Sequence, residues 1–189
     1  ASYRPLNDAI IDGRIRGVVG VVGCNNPKVK HDDIHVRVTR ELIANGCLVV
    51  MTGCAAQSVA KAGLMLPEVA REICPQGLWE VCEAVGIPPV LHLGSCVDNS
   101  RILIALTAMV NEGGLGDDIS DLPAAGCAPE WMSEKAIAIG EYFVASGAAV
   151  VFGVSWPTLG SKNVTEYLFE RCNDIFKNSW HFEADPEKM

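Results

Sequence analysis

Cys24, Cys54 and Cys96 close three similar stretches of chain. These are Gly17-Val-Val-Gly-Val-Val-Gly-Cys24, Cys47-Leu-Val-Val-Met-Thr-Gly-Cys54 and Pro89-Val-Leu-His-Leu-Gly-Ser-Cys96. Each reads as an apolar strand that ends in a thiol where the chain turns towards a helix. In an open parallel sheet, ligands bind beyond the carboxyl ends of the strands, so thiols far apart in sequence can meet there. A helix N-terminus beside each thiol would favour the thiolate, the form that binds metal. Three such thiolates without a Cys-x-x-Cys pair point to a large metal–sulfur cluster rather than a tetrahedral zinc clip.

Other reactive residues have plainer settings. Cys47, Cys74, Cys82 and Cys172 lie in apolar patterns and read as small buried hydrophobes. Cys127 follows Gly126 in what reads as a loop. His31 and His35 have the i, i+4 spacing of a helical metal pair, but Lys28, Lys30, Asp32 and Asp33 around them describe a solvated helix start. His92 sits inside a strand pattern and reads as packed core. Lys135, on its own, is a solvated helix lysine. Gly17, Gly20 and Gly23 give G-x-x-G-x-x-G, not the dinucleotide-binding G-x-G-x-x-G, and Gly160-Ser161-Lys162 has the wrong order for a phosphate loop.

Elements that hold the three thiols alternate along the chain. A lead-in helix runs to Arg16, and strand 17–23 follows. A helix from Asp32 or Asp33 carries Ile34, Val38, Leu42 and Ile43 on one face. Next come strand 47–52, helix 55–65 closed by Pro67, helix 78–85, strand 90–93 and helix 100–110 capped by Asp98 or Asn99. Residues 113–129 read as a glycine- and aspartate-rich connection. A helix from Ser133 to Ala145, strand 148–154, a helix over 165–176 and a short strand 180–182 complete the pattern. The expected fold is α/β, a single Rossmann-like domain over 1–189, with a mainly parallel sheet covered by helices on both faces.

Composition narrows the class. The chain has 189 residues, 49% of them hydrophobic, and a net charge of −8 with no basic–aromatic stretch, which argues against a nucleic-acid partner. No apolar run has the roughly 20 residues of a membrane-spanning helix. Eight cysteines, several of them inside apolar patterns, without a secretory signal, fit reduced thiols in the cytoplasm. The absence of an initial methionine makes the chain read as a piece of something longer.

Four stretches together resemble the C-terminal domain of anaerobic nickel-dependent carbon monoxide dehydrogenases. They are Gly23-Cys-Asn-Asn-Pro-Lys28, Thr52-Gly-Cys-Ala55, Gly94-Ser-Cys-Val-Asp-Asn-Ser-Arg101 and Ala128-Pro-Glu-Trp-Met-Ser-Glu-Lys-Ala136. Hybrid-cluster proteins share the three-cysteine plan, but the last stretch favours the dehydrogenases. The resemblance implies a Ni-Fe-S cluster, the C-cluster, that oxidises CO with water to CO2. Cys24 and Cys54 match cysteines that bind iron, and Cys96 matches the nickel ligand. Lys135 matches the catalytic lysine beside bound substrate, and Ile139 one turn on matches part of an apolar wall. Cys127 is not implied as a ligand. The family's remaining ligands, a histidine and two cysteines, lie upstream of the matched region, together with further 4Fe-4S clusters that remove electrons. The resemblance thus implies missing N-terminal domains, a homodimeric parent and a ferredoxin-like electron acceptor, with little activity in the 189 residues alone. The alternatives are a hybrid-cluster-type redox protein and a non-catalytic isolated domain.

Overall fold

The apolar runs pair as parallel strands in the computed structural model, which describes residues 2–156 and 158–189. Among the described residues six strands form one sheet: β1 (Gly17–Val21), β2 (Cys47–Met51), β3 (Val90–His92), β4 (Ala124–Ala128), β5 (Ala149–Phe152) and β6 (Trp180–Phe182). Their order is β3-β2-β1-β4-β5-β6, and every pairing is parallel. Val21 lies opposite Met51 on one side and Cys127 on the other, and Met51 lies opposite His92. The carboxyl ends of four strands therefore stand in one row.

The helices are α1 (Arg4–Ile11), α2 (Asp33–Ala44), α3 (Gly53–Lys61), α4 (Glu68–Ile73), α5 (Gln76–Val85), α6 (Ser100–Glu112), α7 (Glu134–Ala145), α8 (Lys162–Glu166) and α9 (Cys172–Phe176). From β1 the chain steps outward through β2 to β3, then crosses back to β4 and steps outward the other way to β6. Right-handed crossovers in opposite directions place the connecting helices on opposite faces. Val21, Val49, Met51, Val90, Leu78 and Phe152 are all buried in one continuous core. Full burial of each such side chain contributes about 1.5–3 kcal/mol.

Four features depart from the sequence reading. The 113–129 connection contains β4, a central strand. Its sequence, Ala-Ala-Gly-Cys-Ala, lacks the branched and aromatic residues that mark strands, and helix α7 packs close over it, with Phe143 Cδ1 3.9 Å from where a Gly126 Cβ would lie. Pro67 does not end the helical region but precedes α4, because proline is tolerated where helical N–H groups have no partner. The 165–176 helix begins earlier, at Lys162, and is interrupted by a π-wound turn over Tyr167–Arg171. The strands are also shorter than their apolar runs. Strand β5 stops at Phe152, two residues before Val154 adopts a φ of +64°.

Candidate functional site

Strand order reverses between β1 and β4, so a crevice opens beyond their carboxyl ends, and β2 and β3 border it. Cys24 lies three residues beyond β1. Cys54 is the second residue of α3, immediately after β2. Cys96 opens a 3₁₀ turn, Cys96–Asp98, after β3.

Backbone hydrogen bonds stitch these segments together. The Leu93 N–H donates to the Met51 carbonyl (2.8 Å), the Gly53 N–H to the Gly94 carbonyl (3.0 Å) and the Ala55 N–H to the Gly23 carbonyl (3.3 Å). Gly53 has φ +60°, and a Cβ on it would lie 3.3 Å from the Cys96 Cβ. A side chain here would strain the left-handed backbone and press on Cys96, so glycine suits this close approach of the β2 and β3 exits. In the Cys96 turn, the Asp98 carboxylate accepts the Ser95 N–H at 2.8 Å. Asn99 does not cap α6 as expected. Its side chain turns instead to the Thr52 hydroxyl at the end of β2.

The thiols differ in setting. Cys54 and Cys96 are exposed, and Cys24 is half-buried. Burial pushes the Cys24 thiol above its ordinary pKa, and the thiol charges of Cys54 and Cys96 push the same way. The Met132 N–H directed at its sulfur and the Lys135 ammonium pull it down without cancelling the rise. The expectation of a helix N-terminus beside every thiol therefore holds for Cys54 but fails for Cys24, since α2 begins nine residues later. Without a cation Cys24 stays protonated; a bound metal supplies the charge that ionises it.

No three His, Cys, Asp or Glu side chains among the described residues converge tightly enough to hold one metal ion. Yet the three thiols are near enough for the charges of two to act on the third. Three thiols gathered at one crevice suit a polynuclear cluster, whose ligands stand around bridging sulfides.

The connection from β4 to α7 borders the same crevice. Lys135, on the first turn of α7, is exposed, and Ile139 one turn later is half-buried. Val97 and Met132 are 84% and 54% exposed, so apolar surface flanks the thiols. Behind them lies a polar network that the sequence reading missed. Glu130 is fully buried, and its Oε1 accepts the Ile34 N–H of α2 at 3.1 Å. His35 is also fully buried, and its Nε2–H donates to the Cys24 carbonyl at 2.7 Å. Asn25 Nδ2 donates to Asp32 Oδ1 (2.9 Å) and Ser58 Oγ (3.2 Å), and reaches Glu130 Oε2 at 3.5 Å. Ser58 Oγ lies 2.9 Å from the Cys54 carbonyl. Asn26 Nδ2 donates to the Trp131 carbonyl at 2.6 Å.

His35 is thus not part of a solvated helix start. Residues beyond β1 and β4 fold over it, and burial pushes its pKa down, leaving a neutral imidazole. Its Nδ1 is buried without a partner, which costs roughly 1–3 kcal/mol. His31 does stay exposed. His92 reverses its expectation: it ends β3 exposed, and its Nδ1 accepts the Gly94 N–H at 3.1 Å. Cys127 belongs to β4, not a loop, and burial pushes its thiol up to about 12. Cys47, Cys74, Cys82 and Cys172 are buried, as their apolar patterns predict. The available signals for the network were an acid, Glu130, set between proline and tryptophan, and two consecutive asparagines directly after Cys24.

Comparison with known proteins adds family evidence. The model of the Prismane/CO dehydrogenase family matches residues 2–187. Carbon monoxide dehydrogenase 1 of Methanosarcina mazei is 54% identical over 187 residues, covering 99% of this chain and 29% of that protein. A Ni-free, as-isolated crystal structure of carbon monoxide dehydrogenase from Thermococcus sp. AM4 superposes with a TM-score of 0.93 at 54% identity, over 99% of this chain and 29% of that one. A structure of acetyl-CoA synthase/carbon monoxide dehydrogenase, described with NiZn[Fe4S4] and NiNi[Fe4S4] clusters, gives a TM-score of 0.91 at 39% identity, over 98% and 28% of the two chains. The chain therefore spans less than a third of the length of these relatives.

Proposed function

The chain belongs to the Prismane/CO dehydrogenase family, and from that premise we propose that it is the part of a carbon monoxide dehydrogenase that gives Cys24, Cys54 and Cys96 to a nickel–iron–sulfur cluster. The observation that carries this reading is the stitching of three thiol-bearing segments into one crevice. Cys24 and Cys54 hold iron, and Cys96 holds nickel. Bound there, such a cluster would supply the redox and water-activating chemistry of CO + H2O → CO2 + 2 H⁺ + 2 e⁻.

This chain's own groups shape that chemistry. Lys135 is an exposed cation close enough to act on Cys24, placed to stabilise negative charge on substrate oxygens or to move a proton. Val97, Met132 and Ile139 give the crevice an apolar flank. The Met132 N–H directed at the Cys24 sulfur lowers the electron density of that ligand and so helps set the cluster's potential. The remaining ligands and the electron-relaying 4Fe-4S clusters belong to upstream segments of a longer parent, which forms a homodimer and passes electrons to a ferredoxin-like acceptor.

The test is made on the full-length protein, prepared anaerobically and assayed for nickel, iron and CO-dependent reduction of a viologen dye. The expected result is nickel-dependent CO oxidation, lost in Cys96→Ala. Full cluster loading without nickel and without CO oxidation would replace the reading with a hybrid-cluster-type redox protein.

A further inference from the structure

We propose that Glu130 and His35 are positioning residues that hold Cys24 in its ligating geometry, the carboxylate fixing the first turn of α2 and the imidazole of that turn fixing the Cys24 backbone. The proposal rests on the cluster reading above and extends it to residues that touch neither metal nor substrate.

Normally a helix N-cap side chain satisfies the free N–H groups of the first turn. Here the N-cap residue, Asp32, stands at φ +68° and makes no such bond. Its carboxylate faces Ser58, Asn25 and Lys61. Glu130, 96 residues away in sequence, takes over the Ile34 N–H. The start of α2 is thereby tied to the exit of β4, and His35 is brought under the Cys24 loop.

The orientation of His35 follows. The Cys24 carbonyl can only accept, so Nε2 carries the hydrogen and Nδ1 is left as a bare buried acceptor. A histidine that served packing alone would be better replaced by an apolar residue with no stranded polar atom. Its retained polarity is explained by the bond to Cys24. The same β4–α7 connection that carries Glu130 also sends the Met132 N–H towards the Cys24 sulfur and accepts from Asn26. Cys24 is therefore gripped at its carbonyl, at its sulfur and through both following asparagines. Cys54 and Cys96, by contrast, are exposed.

Two measurements on the full-length protein decide the matter. In the metal-loaded form, His35→Phe keeps the bulk and deletes the donor, whereas His35→Gln places an amide N–H near the position of Nε2. The expected result for His35→Phe is an altered electron paramagnetic resonance signature and a nickel affinity lowered about 10- to 100-fold. Glu130→Gln is expected to alter the signature in the same direction but less, and His35→Gln to restore it. A wild-type signature and nickel content in His35→Phe would overturn the proposal. So would a variant that loses only thermal stability, because that would make the role purely structural.

The second measurement uses the metal-stripped protein and follows iodoacetamide labelling of individual cysteines by peptide mass spectrometry. Faster labelling of Cys24 in His35→Phe, with Cys54 unchanged, is expected; equal rates would overturn the proposal. This arm does not depend on the cluster. If the wild type carries no nickel, the functional reading fails by itself, and labelling still decides whether His35 holds Cys24.

Discussion

Burial makes ionisation costly for a thiol with no metal or cation beside it, and that cost is largest for cysteines set in the core. Burial raises Cys74 and Cys127 to about 12 and Cys82 to about 11, with no cation against any of them. Cys24 is also raised, but Lys135 and the Met132 N–H act on it, and two further thiols stand near. Cys96→Ala in the full-length protein is therefore expected to abolish CO oxidation and nickel retention, whereas Cys172→Ala leaves both near wild type at a modest packing cost. Paired nickel analysis and dye-reduction assays check this, and equal losses in both variants would undo the division. Lys135→Met removes the cation and keeps the side-chain length. If the ammonium stabilises charge or moves a proton during turnover, kcat falls about 10²-fold or more while iron and nickel content stay unchanged. Loss of metal in step with activity would instead make Lys135 a structural residue.

Elements set how closely the thiols approach, and two backbone positions control that distance. Gly53→Ala meets both a left-handed φ, costing about 1–2 kcal/mol, and a contact with Cys96. Urea unfolding should register the loss, with cluster content falling more steeply than stability because the β2 and β3 exits are forced apart. At the start of α2, Asp32 is held down to about 2 by its hydrogen bond to Lys61 and then by Ser58. A depressed carboxyl stabilises the fold fully above its ordinary value of 3.8 and loses that contribution as pH falls towards 2. Asp32→Asn should therefore destabilise by about 1 kcal/mol at pH 6 and by almost nothing near pH 2, as followed by denaturant melts across that range. Much of this arrangement was legible in the sequence. Valine-rich runs ending in Gly-Cys marked the strands, and the common topological place of Cys24, Cys54 and Cys96 marked the crevice. Strand β4 was hidden because close helix packing selects alanine and glycine, which carry no strand signal. His35 and Glu130 were hidden for a different reason. Glu130 meets Ile34, 96 residues away, only once β1 and β4 are neighbours, and His35 meets the Cys24 carbonyl only when the chain between β1 and α2 folds back over it.

For the molecule as a whole, the crevice is open on the side where Cys54, Cys96, Val97, Met132 and Lys135 meet solvent. Three thiols leave a large cluster with unfilled ligand positions, and nothing among the described residues supplies them as a compact set. A partly ligated iron–sulfur species exposed to water and oxygen loses metal, and free thiols then oxidise or capture zinc. The 189 residues prepared alone and anaerobically should accordingly hold iron and sulfide well below one cluster per chain, with no stoichiometric nickel and no CO-dependent dye reduction. Exposed apolar groups such as Val97 and Ile104, 84% and 66% exposed, should bind a hydrophobic dye more strongly than they do in the full-length protein. Elemental analysis and electron paramagnetic resonance on the same preparation decide the metal question. A complete nickel-containing centre in these residues alone would mean that Cys24, Cys54 and Cys96 suffice, and that the crevice closes over its cluster without the rest of the protein.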